Sequence, residues 1–581
     1  MRSAAALHAA TRSPAATLLR PAFLAALTYL ALVLIMWLPF NPCGGMPYES
    51  HFLFNSEVWP VSGFLFPSDS LRPHTSTFYH LAFLLGEALG IGGSFVPFQI
   101  VYAALWWARG YLLYLILRRV LPGQVLFAFF CGALVIVHAS DRALMWVGQL
   151  NQFGFMFWML LAFYLFVRAL QSAGPRRSRW FLAGAIAAQH MSLWSYESPL
   201  PLILFAPVAL LLSGQLRARA HTGTLAAWYI VPALYLTLTV HKYVTNIEAS
   251  YQSAVLRSDW TLAALATDLW FNMVNSLLFW RWSDNLAWDL PEQWLGALSL
   301  LGMAVFAAGS VGVLAFQNVQ EKPTSWPPRQ WLVLLLLSAA ALLLSFPAYL
   351  LLDSAASLWR TQFLSGIAAA LLWGSLAALA ASLLPGRWLR AWIFLVLGAA
   401  ITSFGVGSAV RLGAFHDQIW SRHRQAVDAM LTLAPRLPEG AIVVAVDVPK
   451  ANDPFGANMW FNFALKLAYP GMRVGGIYFY DDGTAASGNH LRLESAQWVW
   501  DGSGESPGFR HRGIERSVIV QYESAGKARI ADEPPALLSP DENARAQYAP
   551  RAVIQSGPPS PRAVRRYYPC SQWWTLSAEP R

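Results

Sequence analysis

Between residues 20 and 410 long apolar stretches alternate with short polar ones. The apolar windows fall near 20–40, 96–117, 123–139, 152–170, 180–195, 198–213, 222–241, 293–316, 331–352, 361–384 and 389–409. A helix of about 20 apolar residues crosses a bilayer core, so the pattern predicts about eleven transmembrane helices. The segment "WTLAALATDLWFNMVNSLLFW" (260–280) is apolar as well, but its flanks place both ends on one side. It reads as an interfacial or re-entrant helix; one extra span there would reverse the orientation of everything after it. Past residue 410 the rhythm changes. "GAIVVAVDV" (440–448), "RVGGIYFYD" (473–481), "AQWVWDG" (496–502) and "RSVIVQY" (516–522) read as strands, and "NMWFNFALKLAY" (458–469) as a helix. The expected architecture is a polytopic α-helical membrane domain over 1–410, followed by a small extracytoplasmic α/β domain over 411–581. That domain is compact over about 430–525 and ends in an irregular Pro-rich tail.

Composition agrees with this picture. Hydrophobic residues make up 56% of the 581 and charged residues only 12%, against about 25% charged in a soluble domain. The net charge of +10 does not point to nucleic acid, because the basic residues sit in short loops: "RRV" (118–120), "PRRSRW" (175–180), "QLRARAH" (215–221) and "PGRWLR" (385–390). That is the positive-inside pattern. With Arg2, Arg12 and Arg20 also inside, an odd number of spans puts the C-terminus outside, in a multi-pass protein of a bacterial-type inner (plasma) membrane. The first window reads as a retained signal anchor, since "NPCGG" after it makes a poor cleavage site. Three cysteines make no disulfide framework. Cys131 lies inside an apolar run, while Cys43 and Cys570 share the outer side and their pairing stays open.

Charge is scarce, so its placement is informative. The outer loops, 41–95, 138–151 and 242–292, together with two shorter turns, carry Glu49, Glu57, Asp69, Arg72, Asp141, Arg142, Glu197, Asp353 and Arg360. Ionisable groups near a bilayer are costly and mark function. Arginine grips a phosphate bidentately and a carboxylate can take a proton, a combination suited to an anionic lipid. Plainer readings stand beside this one. Glu49 is also a solvated acid at a helix end, and Glu57 and Asp69 are ordinary loop charges. Arg72 is also an interfacial anchor, Asp141–Arg142 equally an ion pair capping the next helix, and Glu197 a hairpin tip. His80 and His138 read as satisfied helix-end histidines. The α/β domain shows no phosphate-binding glycine loop, zinc spacing or nucleophile elbow.

Five segments carry a resemblance. "SLRPHTSTFYHLAFLLGEALG" (70–90) and "PFQIVYAALWWARGYLLYLILRR" (97–119) resemble the Tyr-Arg-Pro-Leu and Phe-His-x-x-Asn segments of C-fold membrane glycosyltransferases. "VHASDRALMWVGQ" (137–149), "LWSYESPLPLILFAPVALLL" (193–212) and "SLWRTQFLSGIAAALLWG" (357–374) resemble later segments of that family in the same order. The nearest likeness is to the O-mannosyltransferase-like branch, which uses polyprenyl-phosphate sugars. Where the family has an acidic pair this chain has Glu49-Ser50; Ala139 replaces a proline, Gln149 an arginine, and Tyr196-Glu197 keeps the glutamate without the lysine.

The resemblance implies inverting transfer of a sugar from a polyprenyl-phosphate donor to an envelope glycan, lipid or protein. Glu49 would be the base with Asp141 as partner, and Arg72, Arg142, Glu197 and Arg360 would bind substrate. No cluster has a clear metal spacing, so no cofactor is assigned and a divalent ion stays open. Two other functions remain: a transporter or flippase of a lipid-linked substrate, and a catalytically degenerate relative whose outer domain binds a partner. Transporters tend to show repeats and mid-membrane charges; the absence of a repeat and the charges at the face favour the enzyme. Sugar, acceptor and oligomeric state are not legible in the sequence.

Overall fold

The structure is a computed structural model, described here for residues 21–40, 44–45, 72–214, 221–246, 256–282, 292–320, 326–353, 355–488, 491–500, 512–524 and 526–567. Every apolar window forms a helix. In chain order they are α1 (Pro21–Trp37), a short amphipathic α2 (Thr77–Ala88), α3 (Val96–Val120), α4 (Val125–Val137), α5 (Leu150–Gln171), α6 (Pro175–Leu193), α7 (Leu200–Leu212) and α8 (Thr222–Asn246). Then follow α9 (Leu262–Leu277), α10 (Glu292–Gln320), α11 (Pro328–Leu343), α12 (Ser365–Ser382) and α13 (Arg387–Leu433). Among the described residues, seven helices are long and apolar enough to cross a membrane, and α1, α4 and α7 are shorter apolar helices. The chain is a polytopic helical membrane protein. The segment expected to lie at the interface is α9, whose 16 residues reach only about 24 Å at 1.5 Å per residue.

The centre of the bundle is α4. All thirteen of its residues are buried, as an all-round apolar helix should be. It packs against α3, α12, α13, α1 and α10. Glycine makes the closest approach possible: a Cβ on Gly110 of α3 would lie 2.6 Å from the Gly132 carbonyl oxygen, and one on Gly132 would lie 2.9 Å from that of Gly110. Small residues of this kind let membrane helices meet backbone to backbone. Because α4 is locked in place, the loop leaving it at His138 starts from a fixed point.

The C-terminal region is a four-stranded sheet in the order β2-β1-β6-β7. β1 (Ile442–Val448) is followed by α14 (Asn458–Ala468), β2 (Gly475–Tyr480), β3 (Leu491–Glu494), β4 (Gln497–Trp500), β5 (Arg512–Gly513), β6 (Ser517–Ser524) and β7 (Lys527–Ile530). β1 runs parallel to β2 and β6, and β7 closes the edge antiparallel. β3, β4 and β5 form a separate small antiparallel sheet. The unbroken run IVVAV in β1 follows from burial of both faces. Val443 and Ala445 join the core shared with the helices, whereas Ile442, Val444 and Val446 pack with Trp498, Ile519 and Tyr548.

Residue 410, where a boundary was expected, falls inside α13, a single helix of 47 residues. The domain is seated on the bundle along it. Trp420 meets Phe95 with ring centres 5.0 Å apart, and the Tyr522 hydroxyl donates to the Ala426 carbonyl at 2.9 Å. The tail is more ordered than its composition suggests. The last helix among the described residues, α15 (Pro561–Tyr567), returns to the bundle, where Arg562 pairs with Glu87 at 3.0 Å and Arg565 donates to the Gly92 carbonyl at 3.1 Å.

Candidate functional site

α4 ends at His138, and the turn that follows is clasped to the stretch entering α12. The Asp141 carboxylate accepts three backbone N–H groups: Oδ1 from Ala143 (2.8 Å) and Arg360 (3.0 Å), Oδ2 from Gln362 (2.8 Å). The Arg142 N–H completes the clasp by donating to the Leu358 carbonyl at 2.8 Å. Arg360 accommodates the clasp with a left-handed backbone, φ +68°, an uncommon conformation for a side chain with a Cβ. Asp141 is 3% exposed. Burial pushes its carboxyl up to about 6, against the opposing pull of the three N–H groups and the nearby Arg360 charge.

A buried polar network holds both strands of the clasp to α9. His138 Nε2 lies 3.1 Å from the Ser276 carbonyl and 3.2 Å from its hydroxyl; that hydroxyl donates to Ser365 at 2.8 Å. Gln362 donates to Asn272 Oδ1 at 2.6 Å, and Asn272 donates to the Ala355 carbonyl at 2.7 Å. Fully satisfied networks of this kind fix one arrangement of their members. His138 is thus the satisfied histidine its plainer reading describes. α9 is placed by its own ends: Thr261 caps the first turn by accepting from Ala264 N–H at 3.3 Å, and Arg257 pairs with Asp268 at 2.6 Å.

The clasp forms one wall of a small polar cleft, to which Asp141, Arg142, Asn275, Arg281 and Trp282 contribute. Arg281 and Asn275 were not singled out in the sequence; they lie in an apolar segment and reach the cleft only because α9 ends beside it. Arg109, buried inside α3, was also missed. Its guanidinium donates to the Val135 carbonyl, lies 4.9 Å from the Phe153 ring centre and is within electrostatic reach of Asp141. An arginine within an apolar span was the available signal.

Arg72 and Glu197, both expected to bind substrate, bind each other. Arg72 donates through Nε at 3.0 Å and Nη2 at 2.6 Å to the two carboxylate oxygens, and its guanidinium lies 4.3 Å from the Tyr196 ring centre. Tyr349 stands within electrostatic reach of both Glu197 and Asp141 and so links the two clusters. Its hydroxyl and that of Ser198 are buried without a hydrogen-bond partner that meets ordinary geometry, although they neighbour each other. Between α3, α5, α7, α11 and α12 lies an apolar cavity of about 180 Å³, with Leu113, Met159, Phe205, Ser338 and Leu371 among its walls.

Two crystal structures of ArnT from Cupriavidus metallidurans, one bound to undecaprenyl phosphate and one in the apo state, are similar to this chain. Each aligns with a TM-score of 0.36 and 15% identity, over 74% of this chain and 83% of that chain. A likeness at that TM-score assigns neither site nor reaction. No family model and no curated protein matches the chain.

Glu49, the expected base, lies outside the described residues, as do Glu57, Asp69, Cys43 and Cys570. Cys131 is a buried free thiol. Asp353 accepts from the Ser258 N–H at 3.0 Å and serves the loop before α9. Among the described residues no group of three or more His, Cys, Asp or Glu converges as metal ligands.

Proposed function

We propose that the protein is a membrane glycosyltransferase that moves a sugar from a polyprenyl-phosphate donor to an acceptor on the outer face of a bacterial-type inner membrane. The observation that carries this reading is a cationic cleft at one end of a helical bundle that also holds an apolar cavity. Arg142 and Arg281 line the cleft, Arg360 stands beside it, and Asp141 shapes it. A phosphate suits arginines, and a prenyl chain suits an aliphatic cavity. The basic loops at the opposite ends of the helices support an outward-facing cleft.

In this reading Glu49 removes the proton of the acceptor hydroxyl. The freed oxygen pair bonds to C1 of the sugar, and the C1–O bond to phosphate breaks with its electrons passing to the polyprenyl phosphate. A placed base supplies about 10²–10⁴-fold. Charge grows on the departing phosphate, where Arg142, Arg281 and Arg360 stabilise it. Asp141 holds the Arg360 backbone in position, a role its three accepted N–H bonds suit better than proton transfer. Arg72, oriented by Glu197 and Tyr196, offers the donor a pre-set guanidinium. The test is incubation of the purified chain with labelled polyprenyl-phosphate sugar. Release of sugar that depends on Glu49 and Arg360 supports the reading; donor transport without cleavage overturns it.

A further inference from the structure

Away from the cleft, two histidines from separate elements face each other. His190 sits on the last turn of α6, its ring centre 4.3 Å from that of Trp194 with the planes tilted by 30°. His74 sits in the turn before α2, which is sewn to the end of α6 by its own hydrogen bonds: His74 N–H to the Trp194 carbonyl at 3.2 Å, and the Thr75 hydroxyl to the Ser195 carbonyl at 2.8 Å. The two Nε2 atoms are 3.3 Å apart and the rings are nearly perpendicular, at 66°. Both side chains are half-buried.

The spacing has chemical meaning. With one ring as donor and the other as acceptor, 3.3 Å is a long N–H···N hydrogen bond. Two imidazole nitrogens bound to one tetrahedral ion at about 2.0–2.1 Å lie about 3.3 Å apart. Neutral imidazole favours borderline ions such as Zn²⁺, Cu²⁺ and Ni²⁺ over Mg²⁺ or Ca²⁺. The Arg72 guanidinium, the nearest cation in sequence, is held by Glu197 in a bidentate pair.

We infer that His74 and His190 form a two-histidine site for a divalent transition-metal ion, with oxygen ligands from solvent or a bound molecule filling its other positions. The inference does not depend on the proposed glycosyl transfer.

The test uses the purified full chain in detergent, stripped with a chelator and titrated with Zn²⁺ against a chromophoric indicator. The wild-type chain should bind one equivalent tightly. His74→Gln and His190→Gln keep a hydrogen-bonding side chain but lose the ligand, and each should weaken that equivalent at least tenfold. His190→Cys keeps a ligand and should bind within a few-fold of wild type. Equal binding by wild type and both glutamine variants overturns the site, as does the lack of a saturable equivalent in wild type. Unfolding midpoints in chelator establish that the variants are folded. Where a variant is not, Cu²⁺ resonance on the wild-type chain at one equivalent decides: coupling to two nitrogens supports the site, and fewer overturns it.

Discussion

Acidification should tighten the clasp between the turn after α4 and the stretch entering α12. In the closed structure burial holds the Asp141 carboxyl at about 6; once the loops part and water reaches it, the ordinary aspartate value of about 3.9 returns. The closed form therefore binds the proton more tightly, and closure is most favoured below the open-state value and weakens as pH rises through about 6. The full difference is about 3 kcal/mol. Between pH 7 and pH 5 it amounts to about a tenfold change in the opening equilibrium. Hydrogen exchange read by mass spectrometry on peptides covering 355–365 follows this directly, because the Arg360 and Gln362 amides are the groups released. After correction for intrinsic rates, protection there should rise about tenfold from pH 7 to 5. Asp141→Asn, which cannot ionise, should abolish the trend. A flat profile in wild type, or the same slope in the asparagine variant, would refute the account of Asp141 as a buried carboxyl whose ionisation opposes closure of the clasp.

Further outcomes are expected. Glu49→Gln should lower transfer by about 10²–10⁴-fold while donor binding, measured by equilibrium dialysis, persists. Arg72→Ala should weaken donor binding about 10- to 100-fold, the range of a charge-assisted contact; unchanged affinity removes Arg72 from the donor site. Gly132→Val drives a side chain into Tyr29 and the Gly110 carbonyl and should cost about 1–3 kcal/mol, seen as a lower unfolding midpoint. Gly174→Ala, where a Cβ meets nothing within 4 Å, is the control. A chain ending at Leu412 loses the 2.7 Å bond from the Trp146 indole to His416 and the Phe95–Trp420 contact. It should unfold at lower temperature than the full chain, and an unchanged midpoint would show that the distal half of α13 adds nothing to the bundle.

Local pattern explains why so much of the fold was readable. A window such as 123–139 has no polar face, and it became the wholly buried α4. The run 440–448 is short, β-branched and unbroken, and it became the strand covered on both faces. Pairings across the chain were not readable. Nothing near Arg72 in sequence names Glu197, 125 residues on, and nothing near Asp141 names Gln362, 221 residues on. Each carboxylate was recognisable as chemistry without its partner being visible. The polar residues after 410 read as a domain boundary after the last span. They mark the polar continuation of α13, whose backbone runs on unbroken through the change in composition.

At 47 residues and about 1.5 Å per residue, α13 is about 70 Å long, and its two halves differ in composition, the first apolar and the second polar. Its apolar half answers to lipid, so a change in bilayer thickness acts on its tilt. Its distal half carries the sheet. A tilt of about 10° at the lipid end displaces the far end of such a rod by about 12 Å, unless bending absorbs it. The stance of the sheet relative to the bundle is accordingly a mechanical property of the host bilayer as well as of the protein.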